Sequence, residues 1–459
     1  MRVSELLGTT REGVMPRVRP RDQVLIGVDR VTFETMDTVE TALAVGFLLA
    51  IALVLGRVGF TIVLALLAHR RERRQAFDPS YRPRVAVLIA AFNEAPVIAG
   101  TIRSMLASDY PDLTVTVVDD GSTDGTADVV RAAFPDECRV RLISQANTGK
   151  AGALNRALEE TDAEIAACFD ADTQVEPDTI AMLVRHFADP AVAAVAGNVK
   201  VGNRGTTLTI WQSLEYITSQ NLDRRAYAYL NAVTVVPGAV GAWRRSAVLE
   251  AGGYRSDTLA EDMDLTWRLR RAGWRITVDT QAVAWTEAPE TWHAFLRQRQ
   301  RWAFGSLQVL WKHRAALLRH GWFGWLVVPS VWLFQVLFQF LGPLVDLRLL
   351  YVALGFAWSA LTTAALNGEW QPLPQMARTL AETGFFYAAF SIVELVASVV
   401  AFRLDRERMR DLWWLFWQRF VYRQTLYYVL WSAMVSAIKG RQRGWGKQLR
   451  TGSVRVARA

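Results

Sequence analysis

Cysteine is nearly missing from this chain: 459 residues contain two, Cys138 and Cys168. They lie apart in sequence and lack metal-ligand spacing, so neither a disulfide framework nor a structural zinc site is implied, which suits a cytosolic domain. The first apolar run is not expected to be a secretory leader. It starts near residue 42, too far from the N-terminus, without the short apolar core or small-residue cleavage site of a signal peptide. The net charge of +8 does not point to nucleic acid, because the basic residues cluster beside apolar spans. His69-Arg70-Arg71-Glu72-Arg73-Arg74 follows one span and residues 439–458 follow another, a pattern that marks cytoplasmic flanks and anionic lipid headgroups. What the chain has in abundance is apolar surface: 51% hydrophobic residues and 18 Trp are high for a soluble protein and point to a membrane.

Residues 1–37 are polar and Arg-rich without a clear period, and are expected to be a poorly ordered extension. Residues 42–67 are apolar except for Arg57, Thr61 and several small residues, enough for one tilted transmembrane helix within 38–68. Arg57 either snorkels to the interface or faces other helices. Further apolar runs cover 324–345, 347–366 and 383–402, with Pro329, Pro343 and Glu394 inside them. Residues 412–438 are mixed, opening on the interfacial run Leu412-Trp413-Trp414-Leu415-Phe416-Trp417. Five crossings are expected, with a basic tail at 441–459 on the cytoplasmic side.

Between these regions lies an α/β pattern. Arg84-Val85-Ala86-Val87-Leu88-Ile89-Ala90-Ala91 reads as a buried strand, and further strands are predicted over 113–118, 140–144 and up to Asp170, alternating with helices over 95–107, 126–134 and 151–160. Alternation of this kind implies parallel crossovers and a sheet covered on both faces. Three strand ends, at Phe92-Asn93-Glu94, Asp119-Asp120-Gly121-Ser122 and Asp170-Ala171-Asp172, load one sheet edge with polar groups, which is how such folds build ligand sites. Positions i and i+2 of an extended segment point the same way, so Asp170 and Asp172 are expected to converge on one spot, where a divalent cation with a diphosphate would relieve their repulsion. The competing reading of that tripeptide is a solvated turn or helix cap before Pro177.

Taken together, Ile89-Ala90-Ala91-Phe92-Asn93-Glu94, Val118-Asp119-Asp120-Gly121-Ser122, Lys150-Ala151-Gly152-Ala153-Leu154-Asn155, Asp170-Ala171-Asp172, Glu261-Asp262 and Gln298-Arg299-Gln300-Arg301-Trp302 resemble, in order, the motifs of membrane-embedded processive glycosyltransferases of family 2. That group includes bacterial poly-N-acetylglucosamine, chitin-oligosaccharide, hyaluronan and cellulose synthases. The resemblance implies an α/β domain of the GT-A type, the nucleotide-diphospho-sugar transferase fold, over 84–302. An interfacial helix would follow at 303–320 and α-helical transmembrane elements over 321–440. It also implies that Phe92 and Glu94 border the base, that Asp119 and Asp120 hold the uridine, and that Lys150 lies near the nucleotide. Asp170 would contact the diphosphate and, with Asp172, bind Mg²⁺ or Mn²⁺. Two departures stand out: Ala91 and Phe92 replace the usual Pro and Tyr, and Ala260-Glu261-Asp262 replaces Thr-Glu-Asp. Neither removes a carboxylate.

Asp262 has a role on chemical grounds as well, since sugar transfer needs a positioned carboxylate to take the acceptor hydroxyl's proton, and a single such displacement inverts the anomeric centre. Its competing reading is an ordinary helix cap. On the helix predicted from about residue 291, Gln298 and Arg301 are expected to meet the substrate, with Arg301 stabilising the departing diphosphate and Trp302 stacking on an acceptor sugar. The leading expectation is an inverting, processive polysaccharide synthase using a UDP-sugar, with N-acetylglucosamine or glucose as the sugar. A transferase moving one sugar onto a polyprenyl phosphate is the alternative, and an inactive subunit is disfavoured by the full set of carboxylates. Expected partners are the UDP-sugar, the growing polysaccharide, membrane lipids and accessory export proteins, with no nucleic acid. The expected location is a bacterial-type inner membrane with the catalytic domain cytoplasmic. Glu394 would either face a sugar-filled channel or make an interhelical hydrogen bond.

Overall fold

The computed structural model describes residues 20–367, 374–440, 450 and 452–454. The chain divides into two compact units, Met1–Gly56 and Arg57–Ala459. In the first unit every described residue is helical, within the helix Pro20–Arg74. The extension expected to be poorly ordered is therefore helical from residue 20 onward, while 1–19 lie outside the described residues. A proline suits the first helical position, where its missing N–H would have had no intrahelical partner.

The second unit is built on β1 (Val85–Ala91), β2 (Leu113–Asp119), β3 (Val140–Ser144), β4 (Ile165–Asp170), β5 (Gln174–Val175), β6 (Val192–Val201), β7 (Gly241–Arg244) and β8 (Arg275–Thr286). They form one eight-stranded sheet in the order β3-β2-β1-β4-β7-β6-β8-β5. The four strands legible in the sequence pair in parallel, and their register sets Ala91 beside Asp119 and Ala90 beside Asp170, so their carboxyl ends are level. Beyond β4 the sheet becomes mixed: β7 runs antiparallel to β4 and β6, and β5 antiparallel to β8. Period-two alternation divides the strand side chains between two faces, with Val87, Ile89, Val115, Val117 and Phe169 in one core and Ala86, Leu88, Val118 and Cys168 in the other. Full burial of each large aliphatic contributes about 1.5–3 kcal/mol, which is what pins the register and with it the level strand ends.

Among the described residues three helices are long and apolar enough to cross a membrane: Leu48–Arg74, Phe323–Ala365 and Ala377–Leu404. The two spans expected over 324–345 and 347–366 are one continuous helical stretch of 43 residues. Asp346, the position between the two expected spans, lies inside that stretch and accepts a 2.6 Å hydrogen bond from Gln424 of the helix Trp413–Ile438. Around Pro329 the helix widens into π turns, Phe323–Val327 and Val331–Leu337, which relieve the clash of the ring with the preceding turn. Helix Trp413–Ile438 itself carries Gln418, Arg419, Arg423 and Gln424 and is not among the three, so five crossings are not supported. Glu394 pairs with Arg419 of that helix, which favours the interhelical reading of the two. The boundary expected at 302/303 falls inside a single helix, Trp292–Lys312.

Candidate active site

The loops that follow β1, β2 and β3 are stitched together by hydrogen bonds. Asn93, at a left-handed φ of 58°, donates its amide to Ser122 Oγ at 2.8 Å and accepts from the Thr123 amide at 2.8 Å. The Glu94 amide donates to Thr126 Oγ1 at 2.8 Å. Asp120 is buried and fully engaged, accepting from Gln145 Nε2 at 2.8 Å, the Thr148 amide at 2.9 Å and the Gly149 amide at 2.8 Å. Its side chain therefore shapes the loop that delivers Lys150. Asp119, also buried, accepts from the Ser122 amide at 3.2 Å. Phe92 is 41% exposed at the mouth of this edge, an aromatic face open to a planar ligand.

Lys150 is the bridge of the site. Its Nζ lies 2.5 Å from Asp170 and 3.3 Å from Glu261, joining the end of β4 to the start of the helix Glu261–Arg271. Burial works to lower the lysine's pKa, but Asp170, Glu261 and Asp262 outweigh it and raise it, so the ammonium stays charged. Burial likewise pushes Asp170 up, and Lys150 reverses this, holding it below the usual carboxylate range.

Asp172 does not share that partner. The strand ends at Asp170, and the turn that follows directs Asp172 toward β8, where it accepts from Thr286 Oγ1 at 3.2 Å and pairs with Arg450 Nη1 at 2.8 Å. Its side chain is 2% exposed, burial raises its pKa, and its Oδ1 is buried without a hydrogen-bond partner. Glu94 is held close by, pushed up to about 8 mainly by burial, with a buried Oε2 that also lacks a hydrogen bond. No cluster of three or more His, Cys, Asp or Glu suited to a metal ion exists among the described residues. The unsatisfied buried oxygen of Asp172, two residues after Asp170, fits Mg²⁺ or Mn²⁺, which take one or two protein carboxylates and fill their other positions with phosphate oxygens and water.

Asp262 is the second residue of its helix, and the cap position is Ala260, so Asp262 is not the helix cap. Its carboxylate accepts from its neighbour Met263 at 2.7 Å and from the Gly238 amide at 3.2 Å. Burial, then the charge of Glu261, raises it to about 6. Two residues on, Asp264 accepts from Arg268 at 2.8 Å and pairs with Lys312 at 2.7 Å, which locks this helix against Trp292–Lys312. On that second helix Gln298 is buried, and Arg301 contributes positive charge that lowers the pKa of Asp170. Trp302 is half-buried, tilted over Tyr216 with ring centroids 6.4 Å apart, and under the Arg299 guanidinium at 4.6 Å. Arg299 is anchored by Glu215 at 2.7 Å and by Tyr422 at 3.2 Å.

Sequence reasoning missed Gly238 and Arg450. The turn dipeptide Pro237-Gly238 was a usable signal for the first. Arg450 was read as part of a lipid-facing basic tail over 439–458, and nothing in its local sequence marked it for Asp172 rather than headgroups.

Residues 83–305 match the family model described as glycosyltransferase like family 2. Over 227 residues the chain is 31% identical to the poly-beta-1,6-N-acetyl-D-glucosamine synthase of Staphylococcus aureus (strain COL), covering 49% of this chain and 55% of that one. The corresponding synthase of Staphylococcus epidermidis is 29% identical over the same length. The match thus spans about half the length of these curated relatives. The solved structure of the mannosyltransferase PcManGT from Pyrobaculum calidifontis, in complex with GDP-Man and Mn²⁺, aligns with a TM-score of 0.52 at 22% identity, covering 86% of this chain and 99% of that one. That likeness bears on the fold, which is of the GT-A type. With the β1, β2 and β4 ends level at one sheet edge and Lys150 linking that edge to Glu261, residues 83–305 constitute a domain of glycosyltransferase family 2.

Proposed function

We propose that this protein is an inverting, processive polysaccharide synthase that extends a glycan from a UDP-sugar and passes the product across its membrane. The observation that carries the reading is Lys150, whose ammonium joins Asp170, at the diphosphate end, to Glu261 beside Asp262, at the acceptor end. Donor and acceptor machinery are thereby held in one rigid frame.

In this mechanism the nucleotide lies across the ends of β1, β2 and β4, its base against Phe92 and near Glu94, with Asp119 and the loop shaped by Asp120 around the uridine. Asp170 and Asp172 would hold Mg²⁺ or Mn²⁺, which would neutralise charge on the diphosphate. Asp262 accepts the proton of an acceptor hydroxyl, whose oxygen attacks the anomeric carbon from the face opposite the diphosphate. The bond from that carbon to the diphosphate oxygen breaks, and the nucleotide departs with the bonding pair, its charge met by Lys150 and Arg301. A carboxylate tuned to about 6 is well matched to a base working near neutrality. Gln298 and Trp302 orient the acceptor, the indole covering the apolar face of a terminal sugar. UDP-sugars are cytoplasmic, so the domain faces the cytoplasm of an inner-membrane protein, and accessory export proteins would receive the polymer.

The test is incubation of purified protein in lipid with Mg²⁺ or Mn²⁺ and separate radiolabelled UDP-sugars, followed by sizing of the product. A polymer from UDP-N-acetylglucosamine or UDP-glucose is expected. A single labelled sugar on an organic-soluble lipid would replace this reading with transfer to a polyprenyl phosphate.

A further inference from the structure

At the end of the helix Glu261–Arg271 away from Asp262, a cleft of about 540 Å³ opens on the surface. Arg268, Arg271, Trp274 and His320 line it, with Glu250 as the acidic residue on its wall. A helix C-terminus by itself repels an anion, yet the last turn here carries Arg268, Arg270 and Arg271. Arg268 is already matched, donating to Asp264 at 2.8 Å and to the Ala251 and Gly253 carbonyls. Arg270 lacks such a match: it is buried over the Phe323 ring at 5.9 Å, and its Nε has no hydrogen-bond partner. Burial, with no carboxylate acting against it, pushes its pKa down to about 10. Arg271 is exposed and donates to His313 Nδ1 at 2.9 Å rather than to a carboxylate.

His320 comes from the loop that precedes the membrane span Phe323–Ala365. Leu318, His320 and Gly321 adopt left-handed φ values of 57°, 63° and 64°, and the Leu318 amide donates to the Gly324 carbonyl at 2.9 Å, fixing the loop against the start of the span. Burial, then the charges of Arg271, Arg319 and Arg270, lower the pKa of His320, so these cations act on one place. That place is level with the beginning of the span, because Arg270 packs on Phe323, its first residue. Trp322 and Trp325 are each 62% exposed, and Leu317 and Leu318 are exposed as well. Indole and leucine surface beside unmatched arginine suits the headgroup layer, where apolar parts meet acyl chains and cations meet phosphate. A free anion gives no reason for that apolar rim.

We propose that this cleft binds the phosphate of an anionic membrane lipid, held by Arg271 and His320 with the added charge of Arg270 and Arg319, while Trp322 and Trp325 meet its acyl chains. Nine residues of helix, about 14 Å, separate Arg271 from Asp262, so this lipid is not a sugar acceptor and the site stands apart from the donor assignment.

The test is thermophoretic titration of the purified full chain in maltoside micelles with dioctanoyl phosphatidylglycerol, dioctanoyl phosphatidylcholine, whose headgroup has no net charge, and inorganic phosphate. Phosphatidylglycerol should bind most tightly. Each cation facing an anionic headgroup is worth about fivefold in affinity, so Arg271→Gln and Arg319→Gln should each weaken phosphatidylglycerol binding by about that factor, and the double variant by about 25-fold. Arg408→Gln removes an exposed cation just beyond the span Ala377–Leu404 and should change nothing. Arg319 is exposed, so its variant should melt with the parent and report binding alone. Unchanged affinity in Arg271→Gln and Arg319→Gln overturns the site, and an equal loss in Arg408→Gln reduces it to diffuse surface charge. Equal affinity for phosphatidylcholine removes the role of the anionic headgroup, and displacement of the lipid by equimolar inorganic phosphate makes the cleft a free-anion site, so either result also rejects the proposal.

Discussion

Gly238 passes so close to Lys150 that a Cβ at position 238 would lie 2.5 Å from the ammonium and 3.3 Å from Asp170 Oδ1. The same glycine's amide holds Asp262 at 3.2 Å. One backbone turn therefore touches both the proposed diphosphate end and the proposed base.

Gly238→Ala is expected to leave the fold intact, because the atom it meets is the tip of a flexible side chain, but to drive Lys150 off Asp170. Losing a charge-assisted contact of about 1.5–3 kcal/mol should weaken Mn²⁺-dependent UDP binding by roughly 10–100-fold. Calorimetry on the purified variant, alongside a melting curve matching the parent, checks this.

Asp262 must be ionised to accept a proton, and burial raises its pKa to about 6. The turnover rate should therefore hold above that pH and fall about tenfold per unit below it. In Asp262→Asn the rate should drop by about 10²–10⁴-fold with little change in UDP affinity. A flat profile from pH 5 to 8, or an active Asp262→Asn enzyme, rejects the assignment.

Asp172→Asn keeps the bond with Thr286 available while removing the charge that faces Arg450. It should sharply weaken Mg²⁺- or Mn²⁺-dependent UDP binding without unfolding the domain. Titration showing unchanged metal-dependent affinity would defeat the metal assignment.

Trp302→Ala removes the proposed acceptor platform and leaves Lys150, Asp170 and Asp262 in place. UDP binding should survive while polymer length collapses and slow donor hydrolysis persists. Normal polymer at the normal rate would count against processive synthesis. Glu215→Gln should also shorten the product, because the Arg299 that covers Trp302 would lose its 2.7 Å ion pair. Stranding that buried guanidinium should lower the melting temperature too.

Much of the donor side was legible in the amino-acid order. Strands rich in Val, Ile and Ala with turn residues after them determined β1 to β4, since period and burial are local properties, and the acidic residues after them were bound to share an edge once the pairing was parallel. The later half of the sheet was not legible: β5, β6, β7 and β8 assemble across more than 100 residues of chain, and antiparallel insertion of β7 between β4 and β6 depends on long-range pairing. The continuity of the helical stretch Phe323–Ala365 was not legible either: the polar Asp346 lies within it and is bonded to Gln424, 78 positions on.

Residue types and their spacing were enough to nominate Asp170, Asp172, Asp262 and Trp302, because metal binding, proton transfer and stacking each demand particular side chains. Tertiary structure alone decided which charge each one meets. Asp170 and Asp172, expected to share one partner, are divided between Lys150 and Arg450, which lie 300 positions apart in the chain. Coulomb energy depends on distance in space and on burial, and neither is written in the sequence around a charge.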